Sequence, residues 1–228
     1  MKLLLLETST SLCSAALCED GVITAYRQSS EPRAHASMTA VYVEELLAER
    51  SIRAAGLDAV CLSMGPGSYT GLRVGSSTAK GLCFGAGVPL IAVGTLEVLA
   101  AQAISSGQAE GCKHIVPLID ARRMEVYSAV FSAEGRQLTE TKPEIVTSES
   151  YSDLLAQGPV LFVGDGAGKC KDVITSANAR FMQCNPRADA MMVPAMEAYR
   201  QKRFKDIAYF EPFYLKDFVA TVSERKLF

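Results

Sequence analysis

The sequence predicts an α/β protein, in which buried strands alternate with helices. The run 3–6 is wholly apolar, as in strands that are buried on both faces of a sheet. A second buried-strand pattern, at residues 57–63, leads into the glycine-rich stretch 64–75, and a helical pattern follows over 70–85. A strand that turns sharply into a helix is the recurring unit of α/β folds.

Length and composition describe a globular chain of one large or two small domains. It has 228 residues, of which 49% are hydrophobic and 21% are charged, so it can bury a sizeable core. The net charge of −2 argues against a dedicated nucleic-acid-binding protein, which is usually basic. Seven cysteines without a Cys-x-x-Cys pair are typical of reduced thiols. Since no stretch has the pattern of a signal peptide or a membrane span, we expect a cytoplasmic protein with no membrane contact.

Before the glycine-rich stretch, the pattern predicts a three-stranded meander and a helix. Two further strands, 14–18 and 22–28, are joined by Asp20-Gly21, which is a hairpin signal between apolar runs. A helical pattern then covers residues 35–52. Its apolar residues, which include Met38, Val41 and Tyr42, span a wider arc than one core contact requires. This helix is therefore either clamped inside the fold or presents its second apolar side to another protein.

The glycine loop, residues 64–75, is the most distinctive stretch of the chain. It reads Met-Gly-Pro-Gly-Ser-Tyr-Thr-Gly-Leu-Arg-Val-Gly, and three glycines remove Cβ atoms where the strand turns into the helix: Gly65, Gly67 and Gly71. Ser68 or Thr70 is expected to cap the helix. Arg73 lies in the first helical turn, where a cation opposes the helix dipole, so a bound anion or a partner's carboxylate would stabilise it. A structural turn with a surface arginine explains the same pattern.

The helix after the glycine loop carries small residues along one row. The row consists of Gly71, Gly75, Ala79 and Cys83. Small side chains allow a second helix to approach to the short end of the usual spacing of about 8–10 Å. We therefore predict that this row, together with Met38, Val41 and Tyr42 of the preceding helix, forms the surface that contacts a partner protein.

The rest of the chain continues the α/β pattern. A strand at 89–93 and a helix at 95–106 precede a small, polar stretch, which places a domain boundary between residues 1–106 and 107–228. In the second domain, strands are predicted at 114–119, 125–131, 136–141 and 160–163, and helices at 148–155 and 188–201. A second glycine turn, residues 164–169, follows the strand 160–163. The aromatic segment 210–216 is expected to dock back on the body of the protein.

The sequence lacks the P-loop, the dinucleotide fingerprint and the histidine pair of zinc sites. The turn 164–169 lacks the spacing and the hydroxyl residue of a phosphate-binding P-loop, and it lacks the last glycine of the dinucleotide fingerprint. The only histidines are His35 and His114, and they do not form the i, i+4 pair that zinc sites favour.

The acidic residues of the chain allow general acid–base chemistry. The candidates for general acid–base work are Glu7, Asp120, Glu125 and Asp165. Glu7 and Asp165 each follow a predicted strand, at the edge where open α/β sheets bind ligands, and could flank a Mg²⁺–nucleotide cleft. Turn formation by a short acidic side chain explains Asp165 as well.

Several motifs together resemble the bacterial TsaB family, also called YeaZ. They are Leu-Leu-Leu-Glu-Thr-Ser-Thr near the start, the glycine loop, and the runs at 89–97, 120–127 and 212–216. The resemblance covers nearly all of the first half and thins afterwards. It implies an actin-like, Hsp70-like, sugar-kinase-like (ASKHA) fold of two related α/β subdomains, the second reduced. It also implies a role in making threonylcarbamoyladenosine in tRNA, with the TsaD subunit as the direct partner, the ATPase TsaE as a further partner, and tRNA contacted through the complex.

The resemblance also implies which chemistry is missing. In TsaD, a His-x-x-x-His pair that holds a metal follows the strand after the glycine-loop helix, and these positions correspond here to Thr95 and Leu99. Glu7 replaces the aspartate that is usual at the end of the first strand. We therefore expect a non-catalytic scaffold subunit without a metal, which forms a heterodimer with TsaD or a homodimer when alone.

Two alternative functions remain open. One is a nucleotide-binding actin-like ATPase or sensor, with weak ATP, ADP or Mg²⁺ binding in the cleft. The residues available for that nucleotide or anion site are Glu7, Thr8, Ser9, Gly65, Gly67, Ser68 and Arg73. The other is a glycoprotease-type metallopeptidase, which would have to borrow its metal ligands.

Overall fold

The computed structural model describes residues 1–32 and 34–215, and it consists of two six-stranded sheets with helices packed on their faces. Lys216, the last residue of the predicted tail segment, and the rest of the predicted domain 107–228 beyond it lie outside the described residues. The first half contains strands β1 (Lys2–Glu7), β2 (Cys13–Glu19), β3 (Val22–Ser29), β4 (Ala59–Ser63) and β5 (Leu90–Val93), and helices α1 (Ala34–Glu49), α2 (Tyr69–Ala86) and α3 (Thr95–Ser105).

The second half adds seven strands and three helices. The strands are β6 (His114–Asp120), β7 (Glu125–Ser128), β8 (Phe131–Ser132), β9 (Lys142–Ile145), β10 (Val160–Gly164), β11 (Ala179–Gln183) and β12 (Phe204–Lys205). The helices are α4 (Ser152–Gln157), α5 (Ala167–Cys170) and α6 (Met192–Arg200), and 3₁₀ turns occupy Ala54–Gly56 and Ala188–Met191.

The first sheet has the strand order β12-β5-β4-β1-β2-β3. Strands β1, β2 and β3 form the predicted antiparallel meander, and the hairpin between β2 and β3 turns through Asp20 and Gly21, both with positive φ. Strands β4 and β5 pair in parallel beside β1. Side chains of β1 alternate between the two faces, so that Leu4 and Leu6 pack under α1 and α2, while Leu3 and Leu5 pack on the opposite side.

The second sheet is built around β6. Strands β10 and β11 pair in parallel on one side of β6, and β7 and β9 continue the sheet as antiparallel strands on the other. Helix α3 lies between the two sheets: Val98 belongs to the core of the first sheet, and Leu99, Ala100 and Ala103 belong to the core of the second.

The predicted strand 125–131 is wrong in one respect, because it is two strands. Strands β7 and β8 both pair with β6 and keep the same register, but pairing stops at Ala129 and Val130. These residues lie opposite Val116 and Pro117, and a proline has no N–H to donate to the ladder. The N–H of Val130 instead donates a hydrogen bond to the hydroxyl of Thr139 at 2.9 Å.

The predicted strand 136–141 is also wrong. Within it, Gln137 forms only an isolated bridge to Phe131, and the N–H groups of Leu138 and Thr139 both point to the carbonyl of Val130. Regular pairing resumes only at Lys142, where β9 begins. Strands β11 and β12 are absent from the predicted set.

Residues near the C-terminal end of the described chain return to the first sheet. The 3₁₀ turn Ala188–Met191 and helix α6 bury Ala188, Met191 and Ala195 against the face that carries Leu3 and Leu5, and β12 pairs with β5. Part of the predicted domain 107–228 therefore completes the core of the first half. The placement of the boundary at residue 106 stays a prediction.

Candidate functional site

The glycine loop is built against the turn between β1 and β2. A Cβ atom on Gly67 would lie 2.3 Å from the carbonyl oxygen of Ser9, so only glycine fits there. The N–H of Ser68 donates to the same carbonyl at 2.6 Å. Of the two predicted capping residues it is Ser68 that caps α2, because its Oγ accepts a hydrogen bond from the N–H of Gly71.

The small-residue row of α2 faces the protein's own core, so the predicted partner surface along this row is wrong. A Cβ atom on Gly71 would lie 2.0 Å from the carbonyl oxygen of Thr8, and one on Gly75 would lie 2.3 Å from Thr8 Oγ1. Further along the helix, Ala79 and Cys83 have no exposed surface and belong to the core above the first sheet. The close approach that the small residues permit is therefore used by the end of β1 and not by a helix of another chain.

The predicted partner surface on helix α1 is also largely wrong. Tyr42 is buried in the same core, and Met38 is partly buried against it, whereas Val41 is 38% exposed. Of the predicted interface residues, only Val41 is exposed, and about a third of it is accessible to a partner.

The opposite side of α2 carries an exposed aromatic residue, Phe84, of which 85% is accessible to solvent. Ideal Cβ atoms on Gly81 and Gly85 would meet no atom of the chain within 4 Å. We call Gly81, Phe84 and Gly85 the outer face of α2. An aromatic side chain between two open glycines is the most apolar exposed feature of this helix.

A cleft of about 870 Å³ opens between the two sheets. Its first wall is formed by the β1–β2 turn, the first turn of α1 and the glycine loop, and its second wall by the end of β6, the turn that follows it, and Asp165. Residues 213–215 of the tail lie at its edge. The lining includes Ser9, Thr10, His35, Gly67, Ser68, Thr70, Asp120, Arg122, Tyr127 and Asp165.

The structure brings together only part of the predicted nucleotide or anion site. Ser9, Gly67 and Ser68 line the cleft, but Glu7 and Thr8 lie beneath it and are fully buried. Gly65 has φ +113° and is covered by the tail, since a Cβ atom there would lie 2.7 Å from the carbonyl oxygen of Phe213. Thr10, His35 and Arg122 were not in the predicted set, although the hydroxyl-rich turn after β1 was a signal for Thr10.

Arg73 lies outside the cleft. Its side chain is exposed, and its guanidinium carbon lies 5.1 Å from the centroid of the Tyr69 ring, which in turn packs against Tyr214. Among residues 1–32 and 34–215, no carboxylate forms an ion pair with Arg73, so the predicted contact with a carboxylate is not made within the chain. Binding of an anion or of a partner's carboxylate by Arg73 stays a prediction.

Glu7 is a carboxyl group sealed inside the first sheet. One of its oxygens, Oε1, accepts a hydrogen bond from the N–H of Ser9 at 2.7 Å. Burial raises the pKa of Glu7 to about 6, although hydrogen bonds from Ser9 act in the opposite direction. The side chain therefore holds the turn after β1 and does not face the cleft.

The Glu7→Gln variant is expected to remove a pH-dependent loss of stability. Because the folded-state pKa of about 6 lies above the reference value of 4.5, the folded chain binds the proton more tightly, and stability is lost as pH rises through this window. The loss is roughly 2 kcal/mol, from about 1.4 kcal/mol per pKa unit.

Urea unfolding of both proteins at about pH 4.5 and about pH 7.5 measures this effect. Glutamine can still accept the hydrogen bond from Ser9, so the free energy of unfolding of the variant relative to that of the parent should increase between the two pH values. If the free energies of unfolding of variant and parent differ by the same amount at both pH values, the pH dependence does not come from Glu7.

The second wall of the cleft is held by a network of charged groups. The N–H of Asp120 donates to Asp165 Oδ1 at 2.9 Å, and the ammonium group of Lys169 forms an ion pair with Asp120 and donates to the carbonyl of Glu125 at 2.6 Å. Lys169, from the second glycine turn, therefore ties this turn to the β6–β7 hairpin. Burial raises the pKa of Asp165. In the same hairpin, Arg122 has a φ of 73°, a left-handed backbone that is uncommon for an arginine.

The positions that correspond to a metal-ligand pair are parts of the core. Thr95 is fully buried, and its hydroxyl lies 2.7 Å from that of Ser63, while Leu99 packs between α3 and the second sheet. Across the described chain, no group of three or more His, Cys, Asp and Glu side chains could hold a metal ion. The absence of a resident metal stays a prediction, and a stoichiometric transition metal in elemental analysis of the purified protein would contradict it.

Within the same described residues, no helix has both the length and the apolar character needed to span a membrane.

Comparison with known proteins gives a family over nearly the whole chain. Residues 28–223 match the family model described as TsaD, tRNA N6-adenosine threonylcarbamoyltransferase. The chain is 30% identical over 233 residues to the tRNA threonylcarbamoyladenosine biosynthesis protein TsaB of Escherichia coli, with 96% of each chain covered. It is 33% identical over 234 residues to the protein of the same name from Haemophilus influenzae, with 95% of this chain and 94% of the relative covered.

Solved structures agree with the sequence relatives. A protein from Pseudomonas aeruginosa, described as uncharacterised with similarity to the peptidase YeaZ, has a TM-score of 0.83 at 27% identity, with 94% of this chain and 99% of that chain covered. The predicted α/β fold of the actin-like, Hsp70-like and sugar-kinase-like proteins is confirmed. On the family model and these relatives together, the chain belongs to the TsaB (YeaZ) family.

Proposed function

We propose that this chain is a non-catalytic subunit that binds TsaD and supports it in the synthesis of threonylcarbamoyladenosine in tRNA. The observation that carries the proposal is the match of residues 28–223 to the transferase family, combined with a buried Thr95 and a core Leu99 at the positions of the implied ligand pair. A leucine cannot ligate a metal, and this one is occupied in packing α3 on the second sheet. The curated relatives named TsaB support a role in tRNA threonylcarbamoyladenosine biosynthesis.

TsaD is the proposed occupant of the outer face of α2. Since this chain matches the TsaD model over most of its length, TsaD is expected to present a similar pair of helices. Two like surfaces can then pack about a pseudo-two-fold axis, as in isologous dimers. Phe84 supplies an aromatic anchor, and the open glycines at 81 and 85 let the partner backbone approach.

The neighbouring helix extends the same surface. Helix α1 packs against α2, and its exposed Val41 is a further apolar contact. When TsaD is absent, two copies of this chain would use the same residues for a homodimer. TsaE is proposed to join the assembled pair, and tRNA to be bound through the complex.

Reconstitution of the reaction tests this proposal. The chain, the TsaD and TsaE proteins of the same organism, unmodified tRNA, ATP and an activated threonylcarbamoyl donor are combined, and threonylcarbamoyladenosine is measured with each protein left out in turn. We expect modification to require both this chain and TsaD, and the two to co-purify.

Two results would overturn it. Full modification without this chain would remove the supporting role, and modification by this chain without TsaD would make it catalytic. Steady ATP hydrolysis by the isolated chain would favour the actin-like ATPase or sensor.

A further inference from the structure

We propose that the end of helix α6 and strand β12 form a direct contact surface for tRNA, which binds the RNA through its phosphates and through one unstacked base. We call this surface the basic edge and define it by Arg200, Lys202, Arg203, Lys205 and Tyr209. The inference rests on the proposed function for the identity of the RNA. It assigns to this chain an RNA contact of its own, in addition to contacts made through TsaD.

The basic edge is positive in a chain that is negative overall. Residues 199–209 contain four cations and one aspartate, a net charge of +3, whereas the whole chain has a net charge of −2. All four cationic residues are exposed, and none forms an ion pair within residues 1–32 and 34–215. The aspartate, Asp206, holds a turn, because its Oδ1 accepts a hydrogen bond from the N–H of Ala208 at 2.8 Å. The four cations are therefore available to an anionic partner.

The backbone that carries the basic edge is fixed on the first sheet. Strand β12 pairs with β5, while Tyr199 packs on one face of the sheet and Phe210 is buried on the other. The ammonium group of Lys80, on α2, donates to the carbonyls of Ala208 and Phe210 at 3.4 and 3.1 Å. A backbone that is ordered before binding loses less conformational entropy when a ligand binds.

Two structural roles explain part of the charge, but neither explains the aromatic residue. Cations near a helix C-terminus stabilise the helix, which accounts for Arg200 and Lys202 at the end of α6. A lysine on an edge strand prevents pairing with another sheet, which accounts for Lys205 on β12. Neither role requires Tyr209, of which 85% is exposed. Exposed aromatic rings beside cations are typical of RNA-binding surfaces, where bases stack on the rings and phosphates pair with the cations.

The basic edge lies beside the surface proposed for TsaD. Lys80, which holds the segment, is four residues from Phe84 and therefore on the same side of α2. RNA that is bound to TsaD can then continue onto the basic edge. An acidic surface of TsaD would also suit the charge, but an ion-paired rim makes no use of the exposed ring of Tyr209. RNA is therefore the better match.

The Lys202→Gln/Lys205→Gln double variant tests the phosphate contacts. Binding of unmodified tRNA to the isolated chain and to its pair with TsaD is measured by fluorescence anisotropy at several salt concentrations. We expect binding at least about tenfold weaker, and a slope of log affinity against log salt smaller by about 2, because each lost phosphate contact removes roughly one unit. Both positions are exposed, so the melting temperature should stay within about 2 °C.

Arg136→Gln/Lys171→Gln is the matched control. It removes the same charge from two exposed positions of the second half, neither of which forms an ion pair within the described chain. Salt screens cations that lie away from the bound RNA, so tRNA affinity should stay within about twofold. An equal loss in control and variant would overturn the location.

The Tyr209→Ala variant tests the base contact. Stacking on one aromatic residue does not release counterions, so we expect tRNA to bind about fivefold more weakly or worse, with an unchanged salt slope. Unchanged affinity of this variant would overturn the base contact. Unchanged affinity and slope of the double lysine variant would overturn the basic edge as a whole.

Pairing with TsaD separates this inference from the proposed function. If the double lysine variant pairs poorly with TsaD while tRNA binding by the isolated chain is unchanged, the basic edge is a protein contact and the inference is overturned. If the parent chain itself does not pair with TsaD, the proposed function fails, and tRNA binding by the isolated chain decides this inference. Absence of that binding would then overturn it as well.

Discussion

Replacement of Ala79 by glutamate is expected to prevent the chain from folding. Ala79 has no exposed surface and packs in the core between α2 and the first sheet. A larger side chain in a filled core costs about 1–3 kcal/mol, and a carboxyl group without a hydrogen-bond partner adds several more. Since a domain is stable by only about 5–15 kcal/mol, the sum removes most or all of the stability.

Circular dichroism and urea unfolding measure this effect, with Ser77→Glu as the control. Ser77 is exposed and lies two residues earlier on the same helix, so the control introduces the same charge without entering the core. We expect the control to keep its stability within about 0.5 kcal/mol, as is usual at surface positions. A folded Ala79→Glu protein that fails to bind TsaD would instead place the small-residue row on the partner surface.

The Phe84→Asp variant is expected to abolish pairing with TsaD and to leave the chain folded. The Phe84 side chain is 85% exposed, so its loss removes little burial from the monomer. If it is the anchor of the interface, truncation costs about 2–4 kcal/mol, which weakens pairing by roughly 30-fold to 1,000-fold. Modification of tRNA that depends on the pair should fall with it.

Size-exclusion chromatography and calorimetry with TsaD check this result, and Val22→Asp is the control. Val22 is 61% exposed on β3, so the control also replaces an exposed apolar residue by an aspartate, but on a different element. Normal pairing by Phe84→Asp would show that the outer face of α2 is not the contact.

Local patterns were sufficient for most of the fold. The Asp20-Gly21 hairpin and the apolar run of β1 each depend on neighbouring residues, and both predictions are confirmed. The predictions failed where pairing depends on distant residues. Pro117 interrupts the strand opposite it. Strand β12 forms by pairing with the edge of β5, and 111 positions separate Val93, the last residue of β5, from Phe204, the first residue of β12.

The site was harder to predict for a related reason. A row of small residues indicates close approach of a backbone, but the pattern is the same whether that backbone is a partner helix or the end of the protein's own first strand. Thr8 decides the question, and its contact with Gly71 joins residues 63 positions apart. The cleft likewise combines Thr10, His35 and Arg122, which no short motif connects.

The return of the C-terminal half to the first sheet sets an order of events during synthesis. Strands β1 to β5 emerge from the ribosome early, but Ala188, Met191 and β12, which cover one of their faces and one edge, follow about 100 residues later. At about 5–20 residues per second, the face that carries Leu3 and Leu5 stays only partly covered, by Val98 of α3, for about 5–20 s. We therefore expect nascent chains of this protein to expose part of an apolar sheet surface to chaperones for that interval, because the core of the first sheet is complete only after residues 188–205 have been synthesised.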